Sequence, residues 1–378
     1  MIIQCTKKLL DQLKKKPEMV EEEDPLISWH ANFLTLNRRK TVVLVNDKNR
    51  YTIVLHGLKA KDFKNMDKII LQSIRNTFEH ECIRNDVIKQ FIHSSNTIAY
   101  TKTKNKKLVA RMNKACETLY FFGRMLDPNT IYQPDLSLEI SRDLVGDGKN
   151  DYFHPNEEMY KDLEKFTAFT GTSILQTKAI EMMITLRLEN FKVYRKLIVP
   201  MHFTFHQLHK AIQTAFGWQN SHLHEFYIFD SKKSNQPFLP NHPAYDGERY
   251  KPIINLVCNE EAFSYGDDAI PMKMDDTIKL SEYMPAKATY IYDFGDDWIH
   301  DIEVERVMED YDRNTPICLE GEGNTPPEDV GGEIGYENFL EIMADENHPD
   351  HKHMRSWSSG QLHQNFDIEM VNRMLKYM

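Results

Sequence analysis

A run of apolar residues with helical spacing extends over residues 205–216, and signals at both ends delimit it. Thr204 and Gln207 form the pattern of a capping box and Gly217 follows the last apolar position, so the run predicts one well-defined helix. The preceding segment, 179–188, has apolar side chains at every second position, which predicts a strand. Strand and helix patterns then recur without a regular β-α-β order. The chain is therefore predicted to have an α+β fold and not a doubly wound parallel sheet.

Length and composition fit two ordinary globular domains. The chain has 378 residues, of which 41% are hydrophobic and 28% charged, and this composition is sufficient for sizeable cores. We expect a basic α+β domain at residues 1–125, a connector with several proline and glycine turn signals at 126–173, and an acidic α+β domain at 174–378. In the first domain, the stretch from Lys61 to about Ile92 has apolar residues at helical intervals, which predicts helical structure.

Charge is distributed unevenly along the chain. Residues 1–124 hold 24 of the 47 Lys and Arg but 13 of the 57 Asp and Glu, so their net charge is +11, whereas the remainder carries −21. A basic module beside an acidic one is compatible with nucleic-acid binding by the first. Two halves that attract each other or are solvated differently explain the same asymmetry and are preferred, because net charge is weak evidence for a function.

Cysteine usage and the absence of long apolar runs indicate a cytoplasmic protein. The five cysteines are widely spaced and odd in number, which argues against a disulfide framework and a cysteine zinc site. The first residues turn basic quickly and no small-residue cleavage site follows, so a secretory signal is not predicted. No apolar run approaches the roughly 18 residues that a membrane helix needs.

Three blocks in the second half resemble the plasmid pRiA4b ORF-3-like family: FHQLHKAIQTAFGWQNSHLHEFYI (205–228), YIYDFGDDWIHDIEVERV (290–307) and PICLEGEGNTPPEDVGGEIGYENFL (316–340). The resemblance implies an intracellular bacterial α+β domain without a defined activity, and an association with mobile elements. Val330 stands where the family often has a second cysteine, so a metal or redox pair with Cys318 is not implied. The opening MIIQCTKKLL resembles the start of an uncharacterised bacterial domain, which implies no activity.

Histidines and acids in these blocks suggest a divalent transition-metal site. His222 and His224 are two apart on a predicted strand and should share one face, and paired imidazoles bind such metals when carboxylates join them. A bound ion could activate water for hydrolysis. Alternatively, these side chains fix loops through hydrogen bonds or line a pocket for an organic ligand. The candidate ligands are His222, His224, Asp293, Asp296, Asp297, His300, Glu328 and Asp329.

Two further histidines, His206 and His209, lie near the apolar face of the predicted helix. A lone histidine at such an edge is usually packed or hydrogen-bonded. No chemical role is predicted for either side chain.

Nucleic-acid binding, if present, is predicted for the first domain. Residues 301–350 contain 16 acidic residues and two arginines, a composition that repels phosphates. The densest basic stretch lies in the first domain, near Tyr100, which would offer a stacking surface. A solvated helix face explains the same stretch. The candidate residues are Lys102, Lys104, Lys106, Lys107, Arg111 and Lys114.

The sequence as a whole favours a cytoplasmic two-domain binding or adaptor protein over an enzyme. Its partner, a protein or a small molecule, would bind in a polar recess formed by the three blocks of the second domain. A metal-dependent hydrolase and a nucleic-acid-binding protein are the two alternatives.

Overall fold

The chain folds into two compact units, Met1–Gln176 and Thr177–Met378. The computed structural model describes residues 1–20, 24–95, 97–146, 148, 151–171, 173–233, 250–264, 270–361 and 363–378. Each unit combines helices with a main sheet, so the predicted α+β class is confirmed. Across these residues, no helix has the length and apolar content required to cross a bilayer.

The first unit is built on a five-stranded mixed sheet. The strands of this sheet are β1 (Ile2–Cys5), β2 (Ser28–Leu36), β3 (Arg39–Asn46), β4 (Thr52–Leu58) and β5 (Ala99–Lys102). Two short strands, β6 (Val145–Gly146) and β7 (Tyr152–Phe153), form a separate two-stranded sheet. The helices of the unit are α1 (Lys7–Leu13), α2 (Met66–His80), α3 (Asn85–Ser94), α4 (Lys106–Phe121), α5 (Pro134–Arg142) and α6 (Pro155–Phe166). The sheet order is β4-β3-β2-β1-β5, with β1 parallel to both neighbours.

The helical pattern predicted from Lys61 to Ile92 forms two helices and not one. The chain turns between α2 and α3, where Cys82 has a positive φ of 61°. A left-handed residue cannot continue a right-handed helix. Both helices bury their apolar faces in the same core, which explains why their patterns run together in the sequence.

The described part of segment 126–173 belongs to the first unit and does not act as a simple connector. Pro134 and Pro155 each occupy the first turn of a helix, α5 and α6, where a missing N–H costs little. These helices bury Ile140 and Leu163 in the cores of the unit. Pro134 and Pro155 therefore mark helix starts and not loops, and the unit continues to Gln176.

The second unit is built on an eight-stranded sheet in the order β12-β11-β10-β13-β14-β8-β9-β15. Its strands are β8 (Thr177–Leu186), β9 (Val193–Pro200), β10 (His224–Lys233), β11 (Tyr250–Val257), β12 (Met272–Met274), β13 (Ala288–Tyr292), β14 (Trp298–Tyr311) and β15 (Ile317–Glu322). Its helices are α7 (Phe205–Phe216), α8 (Leu280–Tyr283), α9 (Gly332–Ala344), α10 (His351–Gly360) and α11 (Ile368–Leu375).

Helix α7 has the boundaries that its capping signals predict. The Thr204 hydroxyl accepts a hydrogen bond from the backbone N–H of Gln207, whose side chain accepts one from the Thr204 N–H. Gly217 ends the helix in the left-handed conformation, with φ of 79°. Phe205 and Ile212 on the apolar face are fully buried in the core that contains the sheet. The capping-box prediction is confirmed.

Arg195 on β9 is a buried clamp between elements of the second unit. Its guanidinium is 1% exposed and uses its five N–H groups on the carbonyls of Ala215, Tyr194, Glu322 and Gly323 and the hydroxyl of Thr325. The Phe366 ring covers it at 3.8 Å. Burial lowers the pKa of Arg195 to about 10, and the side chain remains a cation at neutral pH.

Strand β15 forms one edge of the sheet and is tied to the last helix. The Asn372 side chain on α11 accepts a hydrogen bond from the Cys318 N–H (2.8 Å) and donates one to the Cys318 carbonyl (2.9 Å). One side-chain amide thus pairs with the backbone as a neighbouring strand would.

Candidate functional site

Strand pairing brings the first two family blocks together. β10 pairs antiparallel with β13, with His224 opposite Tyr292, so the residues before β10 lie beside the turn after β13. A backbone hydrogen bond of 3.0 Å from the Asp293 N–H to the Leu223 carbonyl joins the two loops.

The turn at 293–297 aims one carboxylate oxygen of Asp293 at His222. Asp293 has a positive φ of 58° and Asp297 one of 62°, a conformation that Asp tolerates better than most residues. The Asp293 Oδ1 accepts hydrogen bonds from the N–H groups of Gly295 (2.9 Å) and Asp296 (3.4 Å). Because Oδ1 holds the turn, Oδ2 faces His222 at 3.4 Å.

The third block reaches the same place through its glycine-rich loop. Asp296 Oδ2 accepts a hydrogen bond of 3.1 Å from the Gly331 N–H. Gly332 has a positive φ of 69°, and a side chain there would meet the Asp296 carbonyl at 3.2 Å. The glycines therefore permit close approach of two backbones. This docking places Glu328 and Asp329 beside His222.

Three carboxylate side chains surround His222. We call these four residues the His222 cluster: His222, Asp293, Glu328 and Asp329. The His222 Nε2 lies 3.1 Å from Asp329 Oδ1, 3.4 Å from Asp293 Oδ2 and 3.7 Å from Glu328 Oε2. The atom is shielded from solvent and makes no well-aligned hydrogen bond within the described part of the chain. Three of the five candidate acids of the family blocks thus converge on one nitrogen.

Glu328 is the buried member of the His222 cluster. It is 3% exposed, and its carboxylate accepts hydrogen bonds from the Tyr292 hydroxyl (3.0 Å to either oxygen) and the Gln219 N–H (2.8 Å). Burial raises the pKa of Glu328 despite these donors. Asp329, by contrast, is 59% exposed, so the cluster has one buried wall and one open side.

His224 belongs to a second group, the His224 cluster: His206, His209, His224 and Asp275. His224 Nε2 lies 2.8 Å from Asp275 Oδ2, and His206 Nδ1 lies 3.4 Å from the same oxygen. The His209 ring stacks on that of His224, while its two nitrogens contact the Tyr290 hydroxyl and Asn220 Oδ1, each at 2.8 Å. Burial raises the pKa of Asp275, but hydrogen bonds from His206 and His224 outweigh it and hold the value at about 2.

Four of the eight predicted ligands lie outside the His222 cluster, namely His224, Asp296, Asp297 and His300. His224 does not share a face with His222, because β10 begins only at His224 and strand alternation does not apply before it. His300 is fully buried and packs on Phe216, Trp218 and Tyr290, so it is a core residue. Asp297 is exposed at the turn.

Asp296 has a structural contact with Gly331, as described, and borders the His222 cluster. Asp275 and the histidines of α7 were not predicted as site residues. Asp275 lies 51 positions from its partner His224 along the chain, and no local spacing pattern marks it.

The basic stretch of the first unit is a surface feature on β5 and α4. Lys102, Lys104, Lys106, Lys107 and Lys114 are exposed and Arg111 is half-buried. The opposite face of α4 buries Met112, Cys116 and Leu119. Tyr100 is fully buried, with its hydroxyl 2.6 Å from Asp67. The prediction that Tyr100 offers a stacking surface is therefore wrong, because β5 turns that ring into the core.

The second unit is thus an α+β domain whose polar cluster is assembled from the loops of three separate segments. The chain belongs to the plasmid pRiA4b ORF-3-like family, whose model matches residues 178–374. Residues 2–158 match a second family model, a domain of unknown function numbered DUF6933. Both resemblances expected from the sequence are confirmed.

Two relatives resemble parts of this chain. The uncharacterized protein y4hQ of Sinorhizobium fredii (strain NBRC 101917 / NGR234) is 32% identical over 166 residues, which are 44% of this chain and 73% of the relative. A crystal structure of a protein of unknown function from Methanosarcina mazei Go1 is 26% identical and covers 48% of this chain and 89% of its own, with a TM-score of 0.37.

Proposed function

We propose that the second unit is a binding domain for a divalent metal ion, with His222, Asp293 and Asp329 as ligands and Glu328 beside them. The observation that carries this proposal is the position of His222 Nε2. The atom is removed from solvent and surrounded by three carboxylates, yet no well-aligned hydrogen bond to it occurs in the described residues. A cation between these atoms would satisfy all of them.

Ligand spacing supports the proposal. Ligand atoms that share a metal with bonds of about 2.1 Å stand about 3.0–3.5 Å apart. The separations of 3.1 Å and 3.4 Å from His222 to the two aspartates fall in that range. One imidazole with two or three carboxylates favours a harder ion such as Mn²⁺ over the softer metals.

Charge also supports the proposal. The ion-pair contacts of Asp293, Glu328 and Asp329 among the described residues all go to His222. Three carboxylates around one imidazole leave a net negative charge even when the imidazole is protonated. A divalent cation would remove their mutual repulsion.

The open side of the cluster indicates how such an ion would serve a binding protein. Because Asp329 is largely exposed, an ion beside it would keep coordination positions that water or a partner's carboxylate or phosphate can fill. The hypothesis of a polar recess is thereby made more specific. The partner, a protein or a small molecule, would be recognised through the metal.

Titration of the chelator-treated full-length chain with Mn²⁺ tests the proposal. Isothermal titration calorimetry should give one ion per chain, and His222→Ala and Asp293→Asn should each weaken binding by at least about 100-fold. The exposed His93 on α3 provides a matched control, and His93→Ala should bind as the parent does. Absence of Mn²⁺ binding, or equal binding by His222→Ala and the parent, would refute the proposal.

A metal-dependent hydrolase is the second candidate, and the position of Glu328 favours it. Glu328 is a buried carboxylate with a raised pKa, and it would act as a general base if an ion held by His222 and the two aspartates supplied an activated water. Hydrolysis of p-nitrophenyl acetate and p-nitrophenyl phosphate with Mn²⁺ is the test. Turnover that chelation abolishes and Glu328→Gln lowers at least about 100-fold supports it, and turnover insensitive to both excludes it.

Nucleic-acid binding by the first unit stays a prediction, and the exposure of five lysines on β5, on α4 and in the loop between them favours it. Binding to a nonspecific DNA duplex should weaken steeply as salt rises. The double variant Lys106→Glu/Lys107→Glu should weaken it at fixed salt. Location in the cytoplasm and association with mobile elements also stay predictions. The buried free thiols of Cys5, Cys116 and Cys318 support a reducing compartment.

A further inference from the structure

We propose a second metal site in the same domain, in which His206, His224 and Asp275 bind a borderline transition metal such as Zn²⁺. Their ligand atoms all lie within 4.8 Å of one another. Two imidazole nitrogens with one carboxylate oxygen form a donor set found in zinc sites, where a fourth position is left to water. This inference rests on different residues from the His222 cluster and does not depend on it.

The spacing of the three ligands fits a shared ion. Asp275 Oδ2 lies 2.8 Å from His224 Nε2 and 3.4 Å from His206 Nδ1. Atoms that coordinate one zinc ion at about 2.0–2.1 Å stand about 3.0–3.5 Å apart. The separation of 3.4 Å falls in that range, and the hydrogen bond of 2.8 Å would lengthen by a few tenths of an ångström when an ion replaces its proton. The same carboxylate oxygen faces both nitrogens, so one ion beside that oxygen would be within reach of all three side chains.

The His224 ring is held in place by the residues around it. Its backbone N–H donates to Cys258 Sγ at 3.3 Å, and its ring stacks on His209, with centroids 3.5 Å apart and planes 5° apart. His209 is itself fixed at both nitrogens, by Tyr290 and Asn220. A ligand fixed in this way gives up little side-chain entropy on binding.

Asp275 and His206 are joined through their backbones. The His206 N–H donates to the Asp275 carbonyl at 3.2 Å, and the Asp275 N–H donates to the Val257 carbonyl at 3.0 Å. Asp275 is 1% exposed. The start of α7, the start of β10 and the residue after β12 therefore form a rigid three-point frame around one carboxylate oxygen.

His206 provides access to this frame. Its side chain is 35% exposed, whereas those of His224 and Asp275 are 3% and 2% exposed. An ion would therefore enter beside His206 and keep its free position on that side. The larger share of imidazole nitrogen distinguishes this site from the carboxylate-rich His222 cluster, and should select Zn²⁺ or Co²⁺ over Mn²⁺.

Zinc binding by the chelator-treated full-length chain tests the inference, by equilibrium dialysis with metal analysis and by the visible absorption of added Co²⁺. The parent and the control His93→Ala should bind Zn²⁺ equally, and His206→Ala and Asp275→Asn should each weaken binding by at least about 100-fold. His206 is partly exposed, so its alanine variant should keep the parent's circular dichroism spectrum.

The variant His222→Ala separates the two sites. Zinc binding that survives His222→Ala and is lost in His206→Ala supports the second site, whatever the outcome with Mn²⁺. Zinc binding that His206→Ala and Asp275→Asn leave unchanged, or the absence of zinc binding by the parent, would overturn the inference. In that event Asp275 serves as a structural hydrogen-bond acceptor between two imidazoles.

Discussion

The imidazole of His224 lies flat on that of His209, with ring centroids 3.5 Å apart and ring planes 5° apart. Burial lowers the pKa of both rings, and that of His209 falls to about 3. Two neutral rings can stack in this way, whereas two imidazolium cations would repel each other. The arrangement is therefore tied to the neutral form of the site.

Acid should destabilise the second unit through its buried histidines. Burial lowers the pKa of His300 to about 3, whereas an unfolded histidine titrates near 6.5. Between these values the unfolded chain binds the extra proton, so the free energy of unfolding falls as pH falls from about 6.5 towards 3. Each such histidine contributes about 1.4 kcal/mol per pH unit.

The variant His300→Phe removes one of the imidazoles that take up a proton on unfolding. Urea unfolding at pH 7, 6 and 5, followed by tryptophan fluorescence, should show a shallower pH dependence than the parent by about one proton. Equal slopes in the two proteins would mean that His300 is not buried as a neutral group.

Replacement of Arg195 should strongly destabilise the second unit. Arg195→Met leaves five acceptors without their donor, four of them backbone carbonyls, and we expect a loss of at least about 3 kcal/mol. Arg195→Lys should rescue little of it, because an ammonium has three donors and no fork geometry.

Arg313, with a side chain 55% exposed, supplies the matched control for Arg195. Arg313→Met should stay within about 0.5 kcal/mol of the parent. Thermal unfolding followed by tryptophan fluorescence measures both, and a small effect of Arg195→Met would contradict the clamp.

Gly323 should tolerate no side chain. Its φ is 79°, and a Cβ would collide with the Lys192 carbonyl oxygen. Gly323→Ala is therefore expected to cost at least about 2 kcal/mol, part from the left-handed conformation and part from displaced backbone. Gly360→Ala, where a Cβ meets open space at the end of α10, should be neutral or slightly stabilising in the same thermal unfolding experiment.

Two substitutions of Asp293 should separate its structural role from its charge. Asp293→Asn keeps an acceptor oxygen for the N–H groups of Gly295 and Asp296, so stability should change little while Mn²⁺ binding weakens by at least about 100-fold. Asp293→Ala should weaken Mn²⁺ binding and also lower the free energy of unfolding by about 1–2 kcal/mol. The stability falls because alanine cannot accept the hydrogen bonds of the turn and tolerates the positive φ poorly. Equal stability of the two variants would contradict the role assigned to Oδ1.

Local signals predicted the features that depend on neighbouring residues. The capping box of α7 is specified by Thr204 and Gln207 and forms as expected. The proximity of His222, Asp293 and Asp329 was expected because these histidine and carboxylate candidates lie in the three blocks that were predicted to form one recess. By contrast, the partnership of His224 with Asp275 depends on sheet pairing between distant segments, and no short pattern encodes it.

Some of the wrong predictions could have been avoided from the sequence. Trp298, His300 and Ile302 are alternate residues of β14 and are all buried, so the apolar neighbours at this spacing already placed His300 on the core face. His222 and His224 were paired by the same alternation rule, which fails because the strand starts between them. Pro134 and Pro155 were interpreted as loop residues, although proline is also favoured in the first turn of a helix.

The hydrogen bonds between Asn372 and Cys318 have a consequence for how separate copies of this chain meet. The edge strand of a sheet has unpaired backbone N–H and C=O groups that can pair with a strand of another chain, and proteins commonly block such edges. Here a single amide on the last helix occupies the position that an invading strand would need. Loss of that helix would leave β15 as an unprotected edge strand, and we expect that this would favour self-association of the second unit.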